Sequence, residues 1–275
     1  MAEKKNEMSF LGHLEELRWH LVRSAAAIFI IGITLFIFQT EVYEHFLLAH
    51  RKSDFITYQI FCDFFTFFGF DSTFCEVAFT DNLISLKPTQ QLMNAIWSSL
   101  ILGIILSFPY LVWELWRFIS PGLTSKEVKS SKGFIFIASF LFFCGIAFSF
   151  YVIAPISIHF LYNYKISDLI QNNFTLESHI GLVTNMLLGV SILFELPVLV
   201  YFLTKIGLVT PEFLKKYRKH SLVVVLILAA IITPPDVASQ VIVAIPILIL
   251  YEISIKVSRM VIKKQQKDAQ KSTRV

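Results

Sequence analysis

The sequence predicts an all-α polytopic membrane protein: six transmembrane helices, kinked and forming a concave bundle, with both termini cytoplasmic. Three observations carry this. The 275-residue chain is 55% hydrophobic and only 16% charged, with 28 Phe. A soluble domain has about 45–50% apolar and about 25% charged residues. The apolar residues also gather in runs near the roughly 20 residues that a bilayer-crossing helix needs. Finally, those runs lack the alternation of barrel strands, so helices are the way to satisfy their backbone polar groups in lipid.

The six runs are residues 24–38, 92–116, 133–155, 180–204, 221–233 and 237–255. The first is not a cleaved signal peptide, because its small residues, Ser24–Ala27, precede the apolar core instead of following it. Basic residues set the orientation. Of 24 Lys and Arg, 20 lie in the amino-terminal segment, the second and fourth connections and the carboxyl tail, with the helix ends that border them. The other side holds Arg51, Lys52, Lys87 and Lys165. An even number of spans agrees with two cytoplasmic ends. The net charge of +4 therefore reports topology, and no nucleic-acid partner is implied. Residues 1–263 are expected as one membrane domain and the polar residues 264–275 as a disordered cytoplasmic tail.

Before the first span, Phe10, Leu14, Leu17 and Leu21 fall at helical spacing, with Glu15, Glu16 and Arg18 on other faces. This suits an amphipathic helix at the cytoplasmic interface. The first external loop, about residues 39–91, is rich in aromatics (Phe55, Tyr58, Phe61, Phe64, Phe65, Phe67, Phe68, Phe70) and is expected to hold helical segments at the outer interface. It also carries Cys62 and Cys75, on the side where an envelope is oxidising. A disulfide is permitted there, but sequence does not supply the distance. Cys144, inside the third span, reads as a small buried hydrophobe.

The second span contains Pro109 and the sixth Pro246, both read as kinks. Pro121–Gly122 ends the second span. Thr124–Glu127 has the form of a capping box that would start the next helix. The fourth span holds Glu195 and Pro197. Pro197 cannot donate to the carbonyl of Leu193, so acid and free carbonyl would form a polar notch facing a concave, partly hydrated pocket. A packing role for the acid, bonded to a neighbouring span, is the alternative. The fifth run has only thirteen residues, about 20 Å of helix against roughly 30 Å of hydrocarbon. It is followed by Thr233-Pro234-Pro235-Asp236, where Asp236 suits a helix N-terminus, with Gln240 one turn on. That turn reads as structure first and partner contact second.

Five stretches together resemble one family: HLEELRWHL (13–21), LSFPYLVWELWRFISPGLTSKE (106–127), FELPVLV (194–200), ITPPDVASQVIVAIP (232–246) and LYEISI (250–255). In this order they are similar to TatC, the polytopic component of the twin-arginine protein translocase. The resemblance implies a receptor in the bacterial inner membrane that recognises twin-arginine signal peptides. It would act in a multi-copy complex with TatA- and TatB-type single-span partners and export folded proteins on the proton-motive force. It assigns signal binding to Glu16, Glu127 and Phe118, and a concave intramembrane site to Glu195. Carboxylates suit that task because each accepts a guanidinium fork bidentately, which Lys cannot copy. The extended first loop and its cysteines depart from the compact family form.

A proton-coupled small-molecule transporter is the alternative function, but it would favour internal repeats and paired broken helices, which are not visible. No enzyme is expected. HLEEL is not H-E-x-x-H, His13 and His20 have no supporting metal ligands, no phosphate-binding G-x-x-x-x-G-K-[ST] occurs, and no cofactor is implied.

Overall fold

The computed structural model describes residues 10–69, 75, 83–120, 131–167, 169, 173–233 and 237–272. Among these, the architecture is helical, with one isolated bridge between Ile84 and Thr175. Its helices of six or more residues are α1 (Phe10–Ile37), α2 (Ile56–Phe67), α3 (Gln90–Ile119), α4 (Ser131–Phe148), α5 (Ala154–Asn163), α6 (Leu176–Phe194), α7 (Leu196–Lys205), α8 (Pro211–Lys216), α9 (Arg218–Ile232) and α10 (Val237–Ser272).

Among the described residues, five stretches are long and apolar enough to cross a membrane: Leu14–Ile37, Gln90–Ile119, Gly133–Asn163, Leu176–Lys205 and Gln240–Lys267. The expected fifth span forms α9, of 15 residues. That is about 22 Å at 1.5 Å per residue, short of the hydrocarbon thickness. The amphipathic start and the first span are one continuous helix, α1. Pro109 and Pro246 sit inside α3 and α10, which continue through them. Residues 264–272, expected as disordered tail, extend α10. KKQQKDAQK is built from good helix formers with no Gly or Pro to stop the helix.

The chain divides into two compact units, Met1–Thr40 with Ala95–Phe140, and Glu41–Asn94 with Leu141–Val275. The first is organised by close backbone approach of α1 and α3. A Cβ on Gly103 would lie 2.9 Å from the carbonyl oxygen of Ile28 and 3.1 Å from the nitrogen of Gly32. Small residues at such crossings let helices pack where lipid gives no hydrophobic drive.

In the second unit, α4 and α6 meet in the same way: a Cβ on Gly145 would lie 2.6 Å from Cα of Ser191. α7 packs on α10. Val200, Leu214, Tyr251 and Ile255 form a buried cluster there, closed by the Tyr251 hydroxyl donating to the Leu214 carbonyl (2.7 Å). Gln240 donates to the carbonyl of Leu226 (3.0 Å), tying α10 to α9. Arg218 and Glu252 pair at 2.7 Å.

The third span is not a plain helix. Ser149–Ile153 is a π turn between α4 and α5, and Pro155 follows it. Proline has no N–H, so neither the carbonyl four residues back nor the one five back receives a bond from it. Both find other donors: Thr57 Oγ1 donates to the Tyr151 carbonyl and His50 Nε2 to the Phe150 carbonyl (2.8 Å). The Tyr58 hydroxyl reaches the carbonyls of His50 (2.8 Å) and Pro155 (3.3 Å). His50 is fully buried, and burial holds its imidazole down at about 4 despite the bond to Phe150. Burial likewise pushes the Tyr58 phenol up. The first loop is thus a packed structure, and Cys62 and Cys75 are joined in it by a disulfide.

Candidate functional site

Within the first unit, residues 12–23 of α1 and the end of α3 build a cleft of about 540 Å³. Gly12, Glu15, Glu16, Trp19, His20, Arg23 and Arg117 line it. The helical period explains the set. Glu16, His20 and Arg23 follow one another at i, i+4 and i+7 along α1, so they share a face.

Behind that lining lies a carboxylate not singled out from the sequence. Glu114 is 1% exposed. The Tyr110 hydroxyl, one turn earlier on α3, donates to its Oε1 (2.9 Å). His20 Nδ1 hydrogen-bonds its Oε2. Arg117 lies 3.7 Å and Arg23 4.0 Å away, each 47% exposed. A buried carboxylate is tolerated when its oxygens are paired in this way. Arg117 is held further by the face of Trp113, 4.9 Å from the ring centroid.

Phe118 packs edge-on against His20, with ring centroids 6.0 Å apart. Through His20 it borders the same cleft that Glu16 lines. Although His20 lies four residues from Glu16 on α1, it turns to Glu114. Glu16 Oε2 is consequently buried with no hydrogen-bond partner among the described residues. Electrostatically the cleft is mixed: two cationic guanidiniums and an imidazole border it, but they lean on Glu114. Glu15 and Glu16 are left as acceptors for an incoming cationic donor. Glu127, Pro121 and the Thr124–Glu127 capping box lie outside the described residues.

In the second unit Glu195 occupies the break between α6 and α7, with Pro197 buried just beyond it. The expectation of a free Leu193 carbonyl is corrected. The carbonyls of Ile192 and Leu193 both accept from backbone N–H groups at the Glu195 cap, because the chain turns there before the proline. The acid itself is half buried, and its Oε1 is without a partner among the described residues. Gln240 is bonded within the protein, as above. Pro234, Pro235 and Asp236 lie outside the described residues. No cluster of three or more metal-ligating side chains occurs among the described residues.

Glu114 left a local trace in the sequence. Tyr110, Glu114 and Arg117 at i−4, i and i+3 mark an acid at a span's end with neighbours able to bond it. Its contact with His20 crosses 94 positions of chain, and no pattern in one helix could show that.

These features define a polytopic α-helical integral membrane protein with a cleft built around carboxylates at the end of one of its spans. The model of the family Sec-independent protein translocase protein (TatC) matches residues 12–246. The chain belongs to that family and is a subunit of the twin-arginine translocase, not an enzyme. It is 41% identical over 268 residues to the TatC protein of Blattabacterium sp. subsp. Periplaneta americana (strain BPLAN), covering 96% of this chain and 100% of that one. The TatC protein of Helicobacter pylori (strain J99) is 36% identical over 249 residues, covering 90% and 88%. A crystal structure of the twin-arginine translocase receptor TatC superposes with a TM-score of 0.66 at 31% identity, covering 90% of this chain and 99% of that one.

Proposed function

We propose that this chain is the receptor subunit that binds the signal peptide of folded cargo in its α1–α3 cleft, with Glu16 taking a guanidinium of the arginine pair. The observation that carries this is Glu16 Oε2, a buried acceptor without a partner among the described residues, in a cleft whose other lining acid is exposed. Arginine is the fitting ligand because its planar fork serves a carboxylate with two parallel bonds. Phe118, against His20, offers an aromatic edge to the peptide beside the arginines. Glu127, nine residues beyond Phe118 in sequence, is the second acid assigned to the guanidinium pair.

In this reading the protein lies in a bacterial inner membrane with both termini cytoplasmic, as the distribution of Lys and Arg favours. It works with TatA- and TatB-type single-span proteins in a multi-copy complex powered by the proton-motive force. Glu195, whose Oε1 has no partner among the described residues, sits at the α6–α7 break beside Pro197 and is the polar point in the span that a passing chain or partner helix meets. The pairing of Gln240 with α9 supports a structural role for the region after Thr233. The family assignment favours translocation over solute transport.

The test is site-specific photocrosslinking of a twin-arginine signal peptide to the full chain in membranes. The unaltered signal crosslinks, while a twin-lysine signal, or the Glu16→Ala protein, loses most of the product. Crosslinking of the twin-arginine signal to the Glu16→Ala/Glu127→Ala protein at the wild-type level overturns the assignment.

A further inference from the structure

Helix α2 belongs to the aromatic-rich first loop and takes no part in the candidate site. We propose that α2 is an interfacial helix that lays an apolar stripe into the lipid leaflet at the Asn163 end of the Gly133–Asn163 span.

The helix divides into three sectors. At about 100° per residue, Ile56, Ile60, Phe64 and Phe67 fall within an arc of about 80°. All four are exposed in the protein, at 53%, 59%, 55% and 84%. Phe68, just past the helix end, is exposed and packs at a tilt against Phe64 (centroids 4.9 Å). Gln59, Asp63 and Thr66 form an adjoining exposed polar arc of about 60°. Tyr58, Phe61, Cys62 and Phe65 fill the remaining side, with Tyr58 buried and the other three half buried. A helix embedded in a bilayer would not carry the polar arc, and one in water would not carry the apolar arc. Protein, water and hydrocarbon meet together only at the membrane boundary.

The depth of α2 agrees. Its first turn is fastened to the third span by Thr57 on the Tyr151 carbonyl and by Tyr58 on the Pro155 carbonyl. Tyr151 lies 18 residues beyond Gly133 along that span, which is roughly 27 Å at 1.5 Å per residue. Hydrocarbon is about 30 Å thick, so the fastening point falls at its edge. The Cys62–Cys75 disulfide joins α2 to Cys75 through the protein-facing sector, outside the Ile56–Phe67 stripe.

The full chain, with Cys144→Ser to remove its free thiol, carries one nitroxide at a time. Ile60→Cys, Phe64→Cys and Phe67→Cys sample the apolar stripe; Gln59→Cys, Asp63→Cys and Thr66→Cys sample the polar one. Proteins are reconstituted in phosphatidylethanolamine–phosphatidylglycerol vesicles, and a non-reducing gel verifies the native disulfide. Collision with oxygen, which concentrates in hydrocarbon, is compared with collision with an aqueous nickel chelate. The expected oxygen-to-nickel ratio is several-fold higher at 60, 64 and 67 than at 59, 63 and 66. Equal nickel accessibility in both sets overturns the proposal in favour of a water-exposed loop. Protection of 60, 64 and 67 from both reagents overturns it in favour of a protein partner or second copy. If Phe67→Cys does not assemble, Ile60→Cys and Phe64→Cys read the same stripe.

Discussion

Replacing Glu114 separates the part of the cleft that holds it together from the part that binds. Glu114→Ala leaves the Tyr110 hydroxyl and the His20 ring without their acceptor, in a place where the carboxylate was 1% exposed. Breaking a buried charged pair from one side costs about 3–5 kcal/mol. The two arginines add little, because each is 47% exposed at 3.7–4.0 Å, and half-exposed pairs are worth about 0–1 kcal/mol. Glu114→Gln keeps an acceptor for Tyr110 but removes the charge facing His20. Losing one charge-assisted bond costs about 1.5–3 kcal/mol. The expected order of stability is wild type, then Glu114→Gln, then Glu114→Ala, with the last melting on the order of 10 °C lower. The assay is thermal loss of monodisperse protein in detergent, paired with a Glu114→Gln/His20→Ala cycle whose coupling should be about 1–3 kcal/mol. If Glu114→Ala melts with the wild type and the cycle shows no coupling, the network does not hold the cleft, and the unpartnered state of Glu16 loses its explanation.

Glu16→Ala is expected to do the converse: stability unchanged, and signal-peptide affinity lowered about ten- to a hundredfold, the worth of one charge-assisted bond. Titration with labelled peptide checks it. Gly145→Ala places a methyl 2.6 Å from Cα of Ser191; backbone must move, costing about 1–3 kcal/mol, read as a lower melting temperature. His50 gives a pH dependence. Its folded-state value, about 4, lies below the usual 6.5, so the unfolded chain takes up the proton first as pH falls. Stability from the neutral ring is complete above about pH 6.5 and is lost towards pH 4, by about 3 kcal/mol. The wild type minus His50→Gln difference in melting temperature should shrink across that window, and a constant difference would contradict the buried neutral ring. Cys62→Ser should free a 13-residue separation, costing about 3 kcal/mol locally, seen as faster proteolysis after α2 with the spans intact.

The amino-acid sequence alone determined what depends on solvent and on neighbours along the chain. Apolar runs of span length, the bias in Lys and Arg, and the punctuation by Pro are local quantities, so the helical membrane class and most spans were legible. The Thr175 and Thr210 caps are local too, each hydroxyl accepting from the N–H three residues on. Tertiary structure decided everything that depends on which helices touch. Glu114 reads in sequence as one acid among several near a span's end; contact with His20 makes it the centre of the cleft and leaves Glu16 open. Thr57 and His50 read as loop residues until Pro155, some hundred positions later, leaves two carbonyls for them to bond. The α6–α7 break likewise satisfied the carbonyls that proline chemistry would leave bare. A hydrogen-bond donor's need is written in its residue type. The partner that meets it is chosen by packing, which brings together residues that the chain keeps far apart.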